Sequence, residues 1–258
     1  MIGRDFRIGC GECGAQIRRG SAQDTTESKA SVFFRFRRIE GWRSGTPGPG
    51  TFDRSFFDRP AESVALDLLG ARLVSTVDGR RATGAVVEVE AYTGPGDPAS
   101  HAAARIGRTR RNASMFGPAG TAYVYLSYGL HCCLNVVTGP VGDPCAVLLR
   151  AVDPIEGLGI MAARRGREQD LASGPGRVGQ AFGVTGALDM HDFSSAPLRL
   201  LPGWSIPPGS VDVSPRVGVS AAQDWPLRFF VRGNTSVSRS RRSIAARAVP
   251  LSCAGVVA

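Results

Sequence analysis

The chain has 258 residues, enough for one domain with a sizeable hydrophobic core, and its 31 Lys and Arg against 22 Asp and Glu give a formal net charge of +9. This excess favours a polyanionic partner such as nucleic acid, an anionic membrane or a phosphorylated ligand, without choosing among them. No apolar run approaches the ~20 residues of a membrane helix and no signal peptide begins the chain, so we expect a soluble intracellular protein.

The two ends of the chain differ in composition from its middle. Residues 1–50 are rich in Gly, Ser and Arg and end in a Gly-Pro repeat, which predicts a disordered extension and linker before a domain at 51–238. Residues 239–258 contain Arg but no acidic residue and are predicted to be a basic tail. Cys10 and Cys13 form a C-x-x-C pair, but no second pair follows at zinc-site spacing. We therefore expect reduced thiols, no metal and no cofactor.

A short helix and a β-hairpin begin the predicted domain. Pro60 can start a helix, and Gly70 can end it. The β-branched runs 73–77 and 85–92 are joined across Asp78-Gly79. Because this dipeptide accepts positive φ angles, the pattern predicts a hairpin.

The second strand of this hairpin carries two carboxylates. Strand alternation places Glu88, Glu90 and Tyr92 on one face and small apolar residues on the other. From this pattern alone we favour a solvent-facing polar side over a functional site. The segment that follows favours a functional site instead. Residues 93–120 form a long aperiodic stretch, and loops of that length tend to be functional. It contains His101, followed by the arginines Arg105, Arg108, Arg110 and Arg111. No acidic residue occurs between His101 and Gly120.

Three of the four tyrosines fall in the next strand pair, predicted at 121–126 and 132–137. Alternation places Tyr123 and Tyr125 on one face, and Tyr128 projects from the tip. We interpret Tyr123 as a residue that simply packs. Clustered aromatic and basic residues are typical of proteins that stack bases and neutralise phosphates.

The remaining pattern is mixed. Residues 146–151 and 227–231 have strand character, whereas 155–165 and 177–183 are predicted to be short helices, separated by a Pro- and Gly-broken segment. Strands with a few unevenly placed helices predict an α+β fold with a mainly antiparallel sheet.

An ordered set of short motifs extends over roughly residues 52–236. It consists of Glu90-Ala91-Tyr92, Gly94-Pro95, His101, Thr109, Arg111-Asn112, Met115-Phe116, Gly120-Thr121, Tyr123-Val124-Tyr125, Tyr128-Gly129, Asn135, Leu148-Leu149-Arg150-Ala151, Ser173-Gly174-Pro175, Arg216-Val217-Gly218-Val219, Pro226-Leu227-Arg228-Phe229 and Val231-Arg232-Gly233. This set resembles the alkyladenine (3-methyladenine) DNA glycosylase family, and its length makes it more specific than any one motif. The resemblance implies a single domain with a curved antiparallel sheet, a protruding hairpin and a few flanking helices.

The resemblance implies a catalytic centre and no metal. Glu90 corresponds to the general base that deprotonates the attacking water and stabilises charge on the sugar. Arg150 corresponds to a residue that holds this water, and the Val217 carbonyl to a third contact. An alkylated base already carries positive charge, so one carboxylate suffices. No lysine nucleophile is implied, so we expect a monofunctional enzyme that leaves an abasic site.

The resemblance also implies a pocket for a flipped purine. Tyr92 and His101 lie on one side of the base and Tyr125 on the other, while Tyr128 fills the hole in the duplex. Asn135 corresponds to a wall that disfavours the amino group of guanine. The implied contacts to the DNA backbone are Arg108, Arg111, Asn112 and Arg177.

The expected partner is duplex DNA containing damaged purines of the 3-methyladenine, 7-methylguanine or hypoxanthine class, bound by a monomer in the bacterial cytoplasm and, through DNA, the nucleoid. His131 departs from the aromatic residue of some relatives. Two alternatives remain: a nucleic-acid-binding protein without catalysis, and a carbohydrate hydrolase that uses Glu88 and Glu90. Their Cα atoms are expected ~6.6 Å apart with parallel side chains, which disfavours the hydrolase.

Overall fold

A computed structural model describes residues 46–239 of the chain. Three predicted features lie outside the described residues: the basic tail after Arg239, the N-terminal extension up to residue 45, and the Cys10–Cys13 pair.

Residues 46–239 form eight strands, four α-helices and several 3₁₀ turns. The helices are α1 (Arg54–Phe57), α2 (Ala61–Leu68), α3 (Leu158–Arg165) and α4 (Pro175–Phe182). The strands are β1 (Arg72–Ser75), β2 (Ala82–Tyr92), β3 (Ala122–Ser127), β4 (His131–Thr138), β5 (Cys145–Glu156), β6 (Leu198–Leu201), β7 (Val211–Ser214) and β8 (Arg228–Val231).

All eight strands belong to one antiparallel sheet in which β2 is the hub. The main path runs β3-β4-β5-β2-β1-β6. Along its first half β2 pairs with β1, and at residues 88–90 it pairs instead with β8, which in turn pairs with β7. The curved antiparallel sheet with flanking helices confirms the predicted single-domain α+β fold.

The predicted β1–β2 hairpin is present, and its turn has the expected chemistry. Asp78 and Gly79 have φ angles of 56° and 68°, in the left-handed region that this dipeptide tolerates. The helix expected after Pro60 is α2, which ends two residues before Gly70. The β3–β4 pair, β5, α3, α4 and β8 also lie where the pattern predicts them.

Three short elements, α1, β6 and β7, were not predicted. The strands β6 and β7 each have four residues and lie in the segment that Pro and Gly residues interrupt. The strand conformation of β6 comes from pairing with β1, which is far away in sequence, and that of β7 from pairing with β8 across the irregular segment 215–227. Local periodicity carries no trace of either pairing.

One face of the sheet packs into the main hydrophobic core. Val87, Val89 and Ala91 of β2 are fully buried there, and α2 and α4 cover this face. Gly179 lets α4 approach β4 closely, because a Cβ atom at this position would lie 2.0 Å from the carbonyl oxygen of Cys132.

The opposite face of β2 is polar, but it does not face solvent. Glu88 and Glu90 have no exposed surface. The solvent-facing interpretation was therefore wrong, because β8 and the chain after it cover the carboxylates from positions distant in sequence. No helix among residues 46–239 is long and apolar enough to cross a membrane.

Candidate active site

A row of directly paired residues crosses six strands on the polar face of the sheet. Directly opposed residues of antiparallel strands project to the same face, so this register gathers polar side chains from across the chain. In strand order β7, β8, β2, β5, β4 and β3, the row consists of Ser214, Arg228, Glu90, Leu148, Asn135 and Tyr123.

Glu90 lies at the centre of this row, where it accepts two hydrogen bonds and forms one ion pair. Its Oε1 accepts one from the Val217 N–H at 2.7 Å and lies 3.2 Å from Arg150 Nη1. Its Oε2 accepts one from the Tyr92 hydroxyl at 3.1 Å. Since a carboxylate offers about four lone-pair sites, one position on Oε2 is left to accept a proton.

The expected water-holding residue is therefore beside the expected base. Arg150 is nearly buried, and burial lowers its pKa less than the Glu90 and Glu88 carboxylates raise it, so the guanidinium stays charged. Val217 contacts Glu90 through its backbone N–H, where the sequence led us to expect a carbonyl contact to water.

The second carboxylate, Glu88, is bound by two arginines. Its Oε1 accepts hydrogen bonds from Arg150 Nε at 2.9 Å and Arg228 Nε at 2.7 Å. Burial raises the pKa of Glu88, but Arg150 and Arg228 together outweigh it and hold the pKa below its ordinary value. A carboxylate held ionised in this way is not a proton donor, which removes the carbohydrate-hydrolase reading of Glu88 and Glu90 as an acid and base pair.

A second buried ion pair adjoins the site, and sequence reasoning missed it. Arg216 Nη2 donates to Asp97 Oδ1 at 2.8 Å, Nη1 donates to Oδ2 of the same carboxylate, and both residues are fully buried. Arg216 also donates to the Ala91 carbonyl at 3.0 Å. The pair fixes the segment that carries Val217 against the end of β2. The available signal was Arg216 within a matched motif and Asp97 in the Gly- and Pro-rich stretch before His101.

Two further aromatic residues meet His101 on the same face. The His101 Nδ1 atom and the Tyr123 hydroxyl are 2.7 Å apart, so Tyr123 packs as predicted and also orients the histidine ring. Burial, followed by Arg111, lowers the pKa of His101, which favours the neutral imidazole. Burial, aided by neighbouring Cys133, raises the pKa of Tyr125, so its hydroxyl stays protonated.

The expected sandwich is closed in this conformation. The His101 and Tyr125 ring centroids are 4.6 Å apart with an interplanar angle of 83°. A base stacked between two rings separates them by about 7 Å, twice the ~3.4 Å base spacing. The rings expected on opposite sides of a base thus contact each other edge to face, and a purine enters between them only if one ring moves.

Asn135 is buried on β4 beside Tyr123. Its Nδ2 donates to the Tyr123 carbonyl at 2.9 Å, which fixes the orientation of the side chain. The residue is a rigid part of the face that Glu90 and the aromatic rings share.

Tyr128 lies at the tip of the β3–β4 hairpin, as predicted. Its side chain is 92% exposed, and Leu130 beside it is 75% exposed. Tyr128 and Gly129 have φ angles of 51° and 70°, as the two central residues of a type I′ turn require. Because left-handed backbone is unfavourable for tyrosine, a large exposed ring at this position points to a role outside folding.

The arginine loop lies next to the aromatic residues. Arg111 donates to the Leu126 carbonyl at 3.3 Å and lies 5.7 Å from the Tyr125 ring centroid, and Arg108 lies over Phe116. Both arginines are exposed and can reach a phosphate.

Asn112 does not fit its expected contact with the DNA backbone. It is buried, its Nδ2 donates to the carbonyls of His101 and Gly107, and its Oδ1 accepts from the Thr109 N–H. A side chain saturated in this way organises the loop and positions His101.

Arg177 lies in the first turn of α4, where a cavity of about 300 Å³ is lined by His131, Arg165 and Gln180. Its guanidinium is 3.6 Å from Asp170 and partly exposed. His131, the departure noted in the sequence, is exposed beside the tip of the hairpin, where it pairs with Ser127. Among the described residues, no three His, Cys, Asp or Glu side chains are grouped as metal ligands.

Comparisons with known proteins identify the family of the chain. The methylpurine-DNA glycosylase family model matches residues 55–235. A protein of Methanoculleus marisnigri is 46% identical over 194 residues, covering 73% of this chain and 99% of its own. A protein of Burkholderia lata is 43% identical over 205 residues, covering 76% and 97%. One of Frankia casuarinae is 46% identical over 209 residues, covering 76% and 96%. Each of the three has the assigned name 3-methyladenine DNA glycosylase.

The fold and the site, together with these matches, define a DNA glycosylase, a hydrolase of DNA repair. The chain belongs to the methylpurine-DNA glycosylase family, whose model covers nearly all of the described residues.

Proposed function

We propose that this protein is a monofunctional glycosylase that flips an alkylated or deaminated purine out of duplex DNA and hydrolyses its N-glycosidic bond. Water attacks the anomeric carbon of the deoxyribose, the bond to the purine breaks, and the bonding electrons leave with the base. Glu90 accepts the proton of the water, and an abasic site remains.

The observation that carries this proposal is the set of contacts that the buried Glu90 carboxylate makes. The carboxylate is held by Arg150, Val217 and Tyr92, yet these bonds leave one lone pair on Oε2. A base that abstracts a proton needs such a position, and a carboxylate fixed on three sides presents it in one direction. The negative charge also stabilises the positive charge that develops on the sugar.

The hairpin tip supports base flipping. Tyr128 projects an exposed ring that can replace the stacking of an extruded base, at a position where its backbone conformation is unfavourable. Exposed Arg108 and Arg111, together with Arg177 in the first turn of α4, supply charge for phosphates on the flanking strand.

The aromatic residues Tyr92, His101 and Tyr125 suit a flipped purine. The proposal requires the His101 and Tyr125 rings to separate on binding, since they contact each other in the free protein. Asn135, fixed by its bond to the Tyr123 carbonyl, is a rigid wall against the amino group of guanine. We therefore propose substrates of the 3-methyladenine, 7-methylguanine and hypoxanthine class for this aromatic pocket.

The absence of strand cleavage follows from the available nucleophiles. Lys29 is the only lysine of the chain, and it lies outside the matched residues. No lysine occurs among residues 46–239, so the described part of the chain offers no lysine amine for a covalent Schiff base, and the enzyme is expected to stop at the abasic site. We further propose that it acts as a monomer on the DNA of the cytoplasm and nucleoid.

Release of free base from methylated duplex DNA tests this proposal. Wild-type protein is expected to release 3-methyladenine without nicking the strand, Glu90→Gln to release none, and Tyr128→Ala to release it more slowly. Glu156→Gln is the matched control, because it breaks an exposed ion pair with Arg81 away from the site. Wild-type protein that binds DNA without releasing base, or a fully active Glu90→Gln variant, would overturn the proposal.

A further inference from the structure

We propose that Glu88 is a positioning residue for Arg150: it restrains the guanidinium so that only one nitrogen reaches Glu90, and it supplies the negative charge that keeps Glu90 an effective base. This inference rests on the proposed function, since it concerns the same carboxylate.

The contacts of Glu88 are unusually complete for a carboxylate that does not itself face the reaction. Besides Arg150 and Arg228, its Oε1 accepts from the Ser238 hydroxyl at 2.7 Å and its Oε2 accepts from the Ser238 N–H at 2.6 Å. Both carboxylates and Arg228 are fully buried. Because Glu88 is fully buried and accepts four hydrogen bonds from Arg150, Arg228 and Ser238, its role is exerted through these partners.

The geometry of Arg150 shows what this restraint does. Its Nε donates to Glu88 at 2.9 Å, while its Nη1 is 3.2 Å from Glu90 Oε1. A guanidinium prefers to bind one carboxylate through two parallel bonds. Without Glu88, Arg150 would be free to form that fork with Glu90 and to occupy the Oε2 position that the water needs.

The backbone of β2 is adapted to this arrangement. The β2–β5 register shifts between Val86 and Val89, so that Glu88 pairs with Ala151. Irregular pairing of this kind redirects side chains and is common beside active sites. Here it accompanies the side-by-side placement of two carboxylates on one arginine.

The charges of the buried cluster predict how substitutions in it change the dependence of the reaction rate on pH. Glu88 and Glu90 face Arg150 from β5 and Arg228 from β8, which makes two negative and two positive charges. The other titratable groups that face Glu90 are Tyr92 on its own strand, Tyr125 on β3, and Arg216, which Asp97 neutralises. Removing Glu88 leaves a net positive charge, and removing Arg228 leaves a net negative one.

The segment that completes the Glu88 site lies at the edge of the family domain. Ser238 follows the matched residues, which end at 235, and contributes two of the four bonds to Glu88. The Ser238 carbonyl also accepts from Arg228 Nη2 at 3.3 Å. Residues just beyond the matched region therefore take part in ordering the centre.

The test is the pH dependence of the single-turnover rate of base release from methylated duplex DNA. In Glu88→Gln the cluster carries a net positive charge, so the acid limb is expected to move down by about one pH unit and the plateau rate to fall roughly tenfold. In Arg228→Gln the cluster carries a net negative charge, so the acid limb is expected to move up. Opposite shifts are a signature that loss of packing does not produce.

Glu156→Gln, with its exposed ion pair, is expected to match wild type. A Glu88→Gln protein that folds and retains the wild-type rate and acid limb would overturn the positioning role. If that variant does not fold, Arg228→Gln decides: an upward shift supports the role, and an unchanged or lower limb overturns it. Wild-type protein that releases no base at any pH would instead overturn the proposed function.

Discussion

The guanidinium carbon of Arg216 lies 4.7 Å from the centroid of the Tyr92 ring. The same guanidinium binds Asp97, and the next residue along the chain, Val217, donates its N–H to Glu90. One buried arginine, Arg216, thus connects three parts of the site. These are Asp97 near the start of the arginine loop, Tyr92 of the expected base pocket, and Val217, the backbone donor to the expected catalytic carboxylate. The hydroxyl of the contacted tyrosine binds Glu90 as well.

Arg216→Lys is expected to loosen this connection, because an ammonium cannot form the two parallel bonds to Asp97 together with the ring contact. The rate of base release should fall at least tenfold through misplacement of the Val217 donor, equivalent to ~1.4 kcal/mol. Trypsin should also cut more rapidly in the arginine-rich loop, which limited proteolysis measures. Arg199→Lys, on the exposed side of β6, is the control. Wild-type rates of both base release and cleavage would contradict the connection.

Tyr128→Asn is expected to separate stability from activity. Asparagine tolerates the left-handed conformation better than tyrosine, so the free energy of unfolding should rise by up to about 1 kcal/mol. The rate of base release should fall, because the ring that replaces the flipped base is lost. Thermal unfolding and base release by the same preparation measure both effects. Val141→Asn, which changes another exposed apolar residue, should leave activity unaltered. Loss of stability in Tyr128→Asn would contradict the turn argument.

Gly179→Ala is expected to destabilise the protein by about 1–3 kcal/mol, because the added Cβ meets the Cys132 carbonyl at 2.0 Å and forces α4 away from β4. Gly159→Ala is the matched control. Gly159 lies inside α3 with nothing within 4 Å of an added Cβ, so this change should stabilise by roughly 0.5–1 kcal/mol. Denaturant unfolding measures both. Equal effects of the two substitutions would contradict close packing between α4 and β4.

The stability that Glu88 contributes is expected to depend on pH. Its pKa in the folded protein is held below the ordinary value of 4.5, so its ion pairs stabilise the fold above that pH. As the pH falls through the lower folded pKa, this contribution is lost. Glu88→Gln should therefore be destabilised by about 3–5 kcal/mol at neutral pH and by progressively less below pH 4.5. Unfolding midpoints of both proteins over this range give the comparison, and a constant difference would contradict it.

Much of the fold is readable from the sequence because its long strands carry their own periodicity and turn chemistry. The Asp78-Gly79 turn and the tyrosine hairpin are local features, and the structure has both. The strands β6 and β7 are different: each has four residues flanked by Pro and Gly, and each becomes a strand only by pairing, β6 with the distant β1 and β7 with β8 across an irregular segment. Periodicity cannot report such pairing.

For the site, too, local sequence patterns predicted one part, and contacts with distant residues determined the rest. Alternation placed Glu88 and Glu90 on one face, but their burial depends on Arg228 and Ser238, about 140 and 150 residues away. The arginine within the apolar run 227–231 was a visible signal of a buried charge. Asn112 was misplaced because a motif match specifies which residue is present and leaves open whether its amide faces DNA or the loop itself.

The central claim, that Glu90 activates the attacking water, is tested most directly by the single-turnover rate of base release from methylated duplex DNA, compared between wild type and Glu90→Gln. The glutamine keeps the shape of the side chain and can still accept hydrogen bonds, but it cannot take the proton. The account predicts loss of at least about a thousandfold in rate, ~4 kcal/mol, with DNA binding and thermal stability retained. A Glu90→Gln protein that releases base within about tenfold of wild type would contradict it.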